Sequence, residues 1–164
     1  MSLFKKIALL STCTVVMVLF TVKSVSGQIE PVSLQQALER ANPEGKKILV
    51  DVYASWCPYC QRMHSNVYPS DEVQEAIEAY YLWVQIDIES KKEVNYHGNT
   101  MTQAEFARAL SNESVPTTYF LNKRGEIIGA QPGFIETPTF SKLLHFVGSD
   151  AYLEQPFSEY EGPE

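Results

Sequence analysis

The stretch LVDVYASWCPYC, residues 49–60, joins two patterns that together decide the fold. It begins inside KILVDVYA (47–54), which is mostly apolar and predicts a strand that is buried on both faces of a sheet. It ends on Cys57 and Cys60, which are separated by Pro58 and Tyr59. The segment that follows, 58–67, fits a helix, because proline is tolerated in a first helical turn. The thiol pair is therefore predicted where a strand leads into a helix.

The rest of the chain predicts one domain in which helices and strands alternate. Ser33 and Thr102 are expected helix N-caps, and Asn42, Pro43 and Gly45 are expected to end the first helix. The further predicted segments are helices over 71–80, 103–110 and 138–148, strands over 82–89, 117–122 and 126–131, and a loop over 90–100. Strands separated by helices favour parallel pairing, and the two strands joined by a short turn favour an antiparallel end.

The first 27 residues have the order of a secretory signal peptide. Lys5 and Lys6 precede an uncharged apolar run of 16 residues (7–22), and small residues close the segment. The run is short for a membrane span, which needs about 20 apolar residues. An uncleaved anchor is the alternative, and LSTC (10–13) loosely resembles a lipoprotein signal; we interpret Cys13 as a small apolar residue that leaves with the signal. We expect a domain over 28–150, an acidic tail over 151–164, and a periplasmic or secreted protein.

Charge and cysteine count limit the function classes. Removing the three lysines of residues 1–27 from 13 basic residues leaves 10, against 20 acidic residues. This acidic balance argues against nucleic acid or an anionic membrane as a partner. Two cysteines three positions apart do not form a stapling framework, because such frameworks close large loops between distant segments.

Several segments resemble the thioredoxin superfamily, over nearly all of residues 33–147. The strand, Trp56 and the Cys-x-x-C pair match, and Asp51 stands where thioredoxins carry a buried acid. SVPTTYF (114–120) resembles the segment that holds the family's cis-proline, here Pro116, and NKRGEIIGAQPGF (122–134) resembles its last hairpin. The resemblance implies an α/β thioredoxin-like fold, with a central mixed sheet flanked by helices, and thiol–disulfide oxidoreductase activity. Exported or periplasmic thioredoxin-like domains are more similar than cytosolic thioredoxin.

The sequence departs from thioredoxin at three positions. The dipeptide between the cysteines is Pro-Tyr, as in glutaredoxins, Gln61 replaces a lysine, and Ser65 replaces a kinking proline. The dipeptide tunes the reduction potential, so the redox direction stays open between a reductase and a disulfide oxidant or isomerase.

Cys57 is the expected nucleophile, because unpaired N–H groups and the dipole at a helix start favour a thiolate there. The thiolate, held accessible, would attack a partner's disulfide and form a mixed disulfide. Cys60, almost one turn further on, would then displace the partner. Asp51 would be costly to bury as a charge, so its functional interpretation is a carboxyl that manages the proton of Cys60 through water. The alternative is an edge-strand acid that faces solvent.

Pro116 carries an expected cis bond, which would set the Val115 backbone beside the sulfurs, where a substrate strand could pair. The alternative is an ordinary proline before a strand. Trp56 and Tyr59 would form an apolar platform for a partner's chain, with core packing as the alternative. The histidines have no partner that the sequence identifies, and we interpret them as ordinary surface or satisfied residues.

Zinc is the other common use of Cys-x-x-C, but a structural site needs four ligands. Only His64, His97 and His145 could add nitrogen ligands, and there is no second cysteine pair after residue 27. We therefore expect no metal and no cofactor. The favoured function is an exported, monomeric reductase that acts on protein thiols and disulfides and draws electrons from a membrane donor. The alternative is a thioredoxin-like copper or zinc chaperone or adaptor.

Overall fold

The computed structural model of the protein describes residues 28–162. It contains five helices and six strands in the order α1, β1, α2, α3, β2, β3, β4, α4, β5, β6, α5. The helices are α1 (Leu34–Glu44), α2 (Pro58–Arg62, continued by a π-helical turn, Met63–Val67), α3 (Asp71–Tyr80), α4 (Gln103–Ala109) and α5 (Thr137–Gly148). The strands are β1 (Lys47–Tyr53), β2 (Tyr81–Asp87), β3 (Glu93–Tyr96), β4 (Asn99–Thr102), β5 (Thr117–Leu121) and β6 (Ile127–Pro132).

Four of the strands form a central mixed sheet in the order β2-β1-β5-β6. β1 pairs in parallel with β2, and the remaining neighbours pair antiparallel, as the strand connections predict. The first six residues of β1 are buried, which confirms a strand covered on both faces. In this register Asp51 of β1 lies opposite Gln85 of β2. The predicted thioredoxin-like α/β architecture is confirmed.

Side chains of β1 and β2 alternate between two separate cores, as the pleat of a strand requires. Leu49, Tyr81 and Trp83 pack with the π turn, α3 and α5 in a core rich in aromatic rings, which we call the aromatic face. Ile48 and Val50 pack with α1 and α4 in a mainly aliphatic core, which we call the aliphatic face. Asp51 follows the alternation of Leu49, so its side chain lies on the aromatic face, beneath the helical segment that carries Cys60.

The predicted loop over 90–100 is wrong in part, because β3 and β4 form a hairpin there. Its turn places His97 and Gly98 at φ of 52° and 84°. The Tyr96 hydroxyl donates to the Gly125 carbonyl at 2.8 Å and holds the hairpin against the β5–β6 turn. These strands are short and mostly polar, so they lack the apolar alternation that identifies a strand.

Both ends of the domain also differ from the prediction. Ser33 caps α1 as expected, but the helix runs through Pro43 to Glu44 before Gly45 ends it. The tail contains two short 3₁₀ turns, Ala151–Leu153 and Phe157–Glu159, instead of no element. The rings of Phe157 and Tyr160 lie 5.4 and 5.3 Å from that of Phe146, so this part of the tail packs on α5.

The predicted signal peptide, with its anchor and lipoprotein alternatives, falls on residues 1–27, outside the described residues. Within residues 28–162, no helix has the length and apolar character needed to cross a membrane.

Candidate active site

The two cysteines form a disulfide at the start of α2. Cys57 is the N-cap residue of this helix, and its Sγ accepts the backbone N–H of Cys60 at 3.2 Å. Pro58 occupies the first turn, as predicted, where its missing N–H has no intrahelical partner to lose. The predicted strand-to-helix junction therefore carries the thiol pair.

Cys57 is less accessible than predicted, because only 3% of its surface is exposed, against 1% for Cys60. Ala54 and Val115 pack against the disulfide. In contrast, the flanking Trp56 and Tyr59 are 62% and 59% exposed, so core packing is the wrong interpretation of both. Their exposed side chains can move without loss of a packed interior.

The Val115–Pro116 peptide bond is cis, as predicted. The Val115 carbonyl oxygen lies 3.6 Å from Cys57 Sγ, which confirms the expected position of this backbone beside the sulfurs. Trp56 and Val115 also line a surface cavity of about 440 Å³, whose other wall is formed by α4 and the segment after it.

Asp51 is 1% exposed and lies in a central strand, so the edge-strand alternative is wrong. Its Oδ2 atom lies 2.5 Å from His64 Nε2 and accepts a hydrogen bond from Gln85 Nε2 at 3.3 Å. Its Oδ1 atom is buried and has no partner among the described residues. A buried carboxyl oxygen without a hydrogen bond lowers the stability of the fold.

His64 reaches Asp51 from the π-helical turn. The Tyr68 N–H bonds to the Met63 carbonyl at 2.9 Å, which is the i→i+5 pattern of a π turn. Such wide turns are frequent at functional sites. The His64 ring packs between Tyr53 and Tyr68, at centroid distances of 4.9 and 5.7 Å.

His64 is thus a satisfied histidine, and its partner is Asp51, which the sequence does not identify. Its position four residues after Cys60 predicts a shared helix face, but the contact with Asp51 also depends on how the helix crosses β1. His97 and His145 lie elsewhere, in the β3–β4 turn and against Tyr80.

Further polar atoms are buried around Asp51. The Tyr68 hydroxyl has no hydrogen-bond partner among the described residues, and its ring stacks on Trp83 at 4.7 Å. Burial, followed by the nearby Asp51 charge, raises the pKa of Tyr68 well above its ordinary value. We call Asp51, His64, Tyr68 and Gln85 the polar cluster. Within residues 28–162, no three His, Cys, Asp or Glu side chains are grouped as metal ligands.

The sequence matches the family model described as thioredoxin-like domain over residues 34–148. The chain therefore belongs to the thioredoxin-like domain family, and its Cys57–Cys60 disulfide makes it a thiol–disulfide oxidoreductase by class.

One similar relative is the thiol:disulfide interchange protein DsbD of Pseudoalteromonas atlantica, 32% identical over 109 residues. That match covers 65% of this chain but only 17% of the relative's length. Among solved structures, a thioredoxin-fold protein from Helicobacter pylori is 24% identical, with a TM-score of 0.60 over 71% of this chain and 78% of that one. The oxidised C-terminal domain of Neisseria meningitidis DsbD is 20% identical, with a TM-score of 0.52 over 70% of this chain and 96% of that one. Both structures show the same fold.

Proposed function

We propose that the protein is an exported reductase that transfers electrons from its Cys57–Cys60 dithiol to disulfides of partner proteins. One observation carries this proposal. The disulfide lies at a helix start, with Cys57 Sγ 3.6 Å from the Val115 carbonyl and a buried carboxyl on the sheet face beneath. The arrangement provides a nucleophile, a resolving thiol, a docking backbone and a proton acceptor within one end of the sheet.

In the reduced protein the Cys57 thiolate attacks one sulfur of the partner's disulfide. The first partner sulfur leaves as a thiolate and takes up a proton, while Cys57 forms a mixed disulfide. Cys60 then loses its proton and attacks the Cys57 sulfur, which releases the second partner thiol. Two electrons pass to the partner, and the Cys57–Cys60 disulfide forms. A dithiol donor must reduce it again before the next cycle.

The N-terminal position of Cys57 supports its role as the attacking group, since backbone N–H groups stabilise a thiolate there. Cys60 is buried, which suits a thiol that meets only the Cys57 sulfur. Asp51 supports the reducing direction. A carboxylate beneath the pair disfavours a second negative charge on sulfur, and therefore favours the disulfide over the dithiolate.

A partner would dock as an extended strand beside Val115, where main-chain groups can pair with it. Trp56 and Tyr59 supply exposed apolar surface on either side of the sulfurs. Because Cys57 is only 3% exposed, docking must uncover its sulfur before attack. Export supplies the setting, since residues 1–27 have signal-peptide character. The related protein is by name a thiol:disulfide interchange protein, and an exported reductase needs a membrane donor of electrons to be reduced again.

The test combines insulin reduction by dithiothreitol with trapping of the mixed disulfide. We expect wild-type protein to accelerate insulin precipitation and Cys57→Ser to abolish this. Cys60→Ser should accumulate a covalent adduct with a disulfide peptide through Cys57, which mass spectrometry detects. An adduct in Cys57→Ser but not in Cys60→Ser would reverse the assignment. Stoichiometric copper or zinc on the purified protein, with no exchange, would instead support a metal-binding function.

A further inference from the structure

His64 connects the buried carboxyl of Asp51 to the protein surface. Its Nε2 atom lies 2.5 Å from Asp51 Oδ2, within hydrogen-bond distance. The exposure of the two side chains differs sharply, at 28% for His64 and 1% for Asp51. Nδ1 of His64 makes no hydrogen bond within residues 28–162, which leaves it free to exchange a proton with water.

The surface that His64 reaches is separate from the cavity lined by Trp56 and Val115, which we call the docking cavity. A second cavity, of about 300 Å³, is lined by His64, Tyr68, Trp83 and Gln85 together with residues 28–31. It shares no lining residue with the cavity beside Trp56 and Val115. The Ile29 N–H bonds to the Gln74 side chain at 2.6 Å, and the Val32 N–H bonds to the Trp83 carbonyl at 2.8 Å. These bonds hold the N-terminal segment in place as the rim of this second cavity.

This separation matters at one step of the proposed reaction. While a partner is held on Cys57, it covers the docking cavity, yet Cys60 must still lose its proton to attack. A proton that leaves through Asp51 and His64 emerges in the second cavity, which has none of the lining residues of the docking cavity. Imidazole suits this transfer because it accepts and releases protons near neutral pH.

We propose that His64 is a positioning residue that orients Asp51 and conducts the Cys60 proton to solvent through the cavity at residues 28–31. The inference rests on the proposed function. The proton passes from the Cys60 thiol through water to the Asp51 carboxylate and then to Nε2 of a neutral His64 ring that carries its proton on Nδ1, while the Nδ1 proton leaves to water. No electrons move in this transfer.

The surroundings of His64 fit this role. Asp51 and Tyr53 face it from β1, Tyr68 from its own segment and the neutral Gln85 from β2. Glu30 lines the same cavity and adds a negative charge at its rim. Asp51 and Glu30 both favour a transient positive charge on the imidazole, and among residues 28–162 no lysine or arginine lines this cavity to oppose it.

The decisive experiment separates the two thiol releases. Reduced protein is mixed with a disulfide peptide that carries a fluorophore on each half, and release of the first and second thiols is followed from pH 5.5 to 9. We expect His64→Gln, which keeps a hydrogen-bonding group without a transferable ring proton, to slow only the second release, by at least about tenfold near pH 7. His97→Asn, in the β3–β4 turn, is the matched histidine control and should behave as wild type.

Two further readouts exclude a merely structural role. Free imidazole in the buffer should restore the second release in His64→Ala but not in Asp51→Asn, since it can enter the vacated site. In the unsubstituted protein, the pH titration of the His64 ring resonances should differ between the oxidised and reduced forms. An unchanged second release in His64→Gln across the pH range, or a His64 titration indifferent to redox state, would overturn the inference. Loss of the first release in wild type would instead overturn the proposed function.

Discussion

The two faces of the central sheet differ in where they bury polar groups. On the aliphatic face, Ile48 and Val50 meet apolar side chains of α1 and α4. On the aromatic face, beneath the helical segment of the thiol pair, β1 and β2 contribute Asp51 and Gln85 to the polar cluster. Four buried side-chain atoms lack a partner within residues 28–162, and three of them, Asp51 Oδ1, Tyr68 Oη and Trp83 Nε1, belong to residues around this cluster. Unpaired polar atoms lower stability, and here they are concentrated beneath the thiols. We therefore expect the aromatic face to serve the thiol chemistry and the aliphatic face to stabilise the fold.

Ile48→Ala tests the aliphatic face and should have the largest effect on stability. Ile48 is fully buried, so the truncation should lower the free energy of unfolding by about 2–5 kcal/mol. Thiol exchange by the folded fraction should stay at the wild-type rate, because Ile48 lies at the far end of β1 from the disulfide. Urea denaturation and insulin reduction measure the two effects. A loss of thiol exchange in fully folded variant protein would contradict the assignment of the aliphatic face to stability alone.

Asp51→Asn, three residues along the same strand, should act in the opposite sense. Removing a buried carboxylate with an unpaired oxygen should raise the free energy of unfolding by about 1 kcal/mol at pH 8. His64 is partly exposed, so the substitution leaves no charge buried without contact to water. Exchange should become slower, since Cys60 loses its proton acceptor. Lower stability combined with unchanged exchange would assign Asp51 to structure alone.

Thr102→Ala tests the part of the aliphatic face where α4 borders the docking cavity. The Thr102 side chain accepts the Glu105 N–H, and the Glu105 carboxylate accepts the Thr102 N–H and hydroxyl. These bonds lower the pKa of Glu105. Loss of the N-cap should cost about 1 kcal/mol of unfolding free energy, with Thr102→Ser as the matched control. We expect KM for a protein disulfide to rise while the rate of exchange with dithiothreitol is unaffected. An equal loss of unfolding free energy in Thr102→Ala and Thr102→Ser would contradict the capping role.

The smallest expected effect is a pH dependence from His145 on α5. Burial lowers the pKa of His145 from its ordinary value of 6.5, partly opposed by the charge of Glu75. The unfolded chain therefore binds this proton at a higher pH than the folded chain does. The free energy of unfolding should fall as the pH drops through about 6.5. Urea denaturation at pH 8 and pH 5.5 should show a smaller fall in the free energy of unfolding for His145→Gln than for wild type. An equal fall in both proteins would show that His145 does not contribute to the pH dependence.

Local patterns in the sequence predict most of the fold and part of the site. The apolar strand before Cys57, the proline after it and the helix caps at Ser33 and Thr102 each act over a few residues, so their outcome is predictable. The β3–β4 hairpin is not, because its polar strands are held by a tertiary bond from Tyr96 to Gly125.

The partner of Asp51 is equally hard to predict. It depends on a π turn that no local residue pattern predicts, and on the β1–β2 register that places Gln85 opposite Asp51. The tail is ordered by aromatic contacts with Phe146, over a sequence distance that composition does not reveal. In both cases the missing information is long-range packing.

A redox titration of the Cys57–Cys60 pair against defined thiol–disulfide buffers tests the central claim most directly. The account predicts one reversible two-electron transition with a midpoint near that of thioredoxin, at about −270 mV and in any case below about −200 mV. A midpoint near about −120 mV, the value of a strong disulfide oxidant, or the absence of any reversible transition, would contradict it.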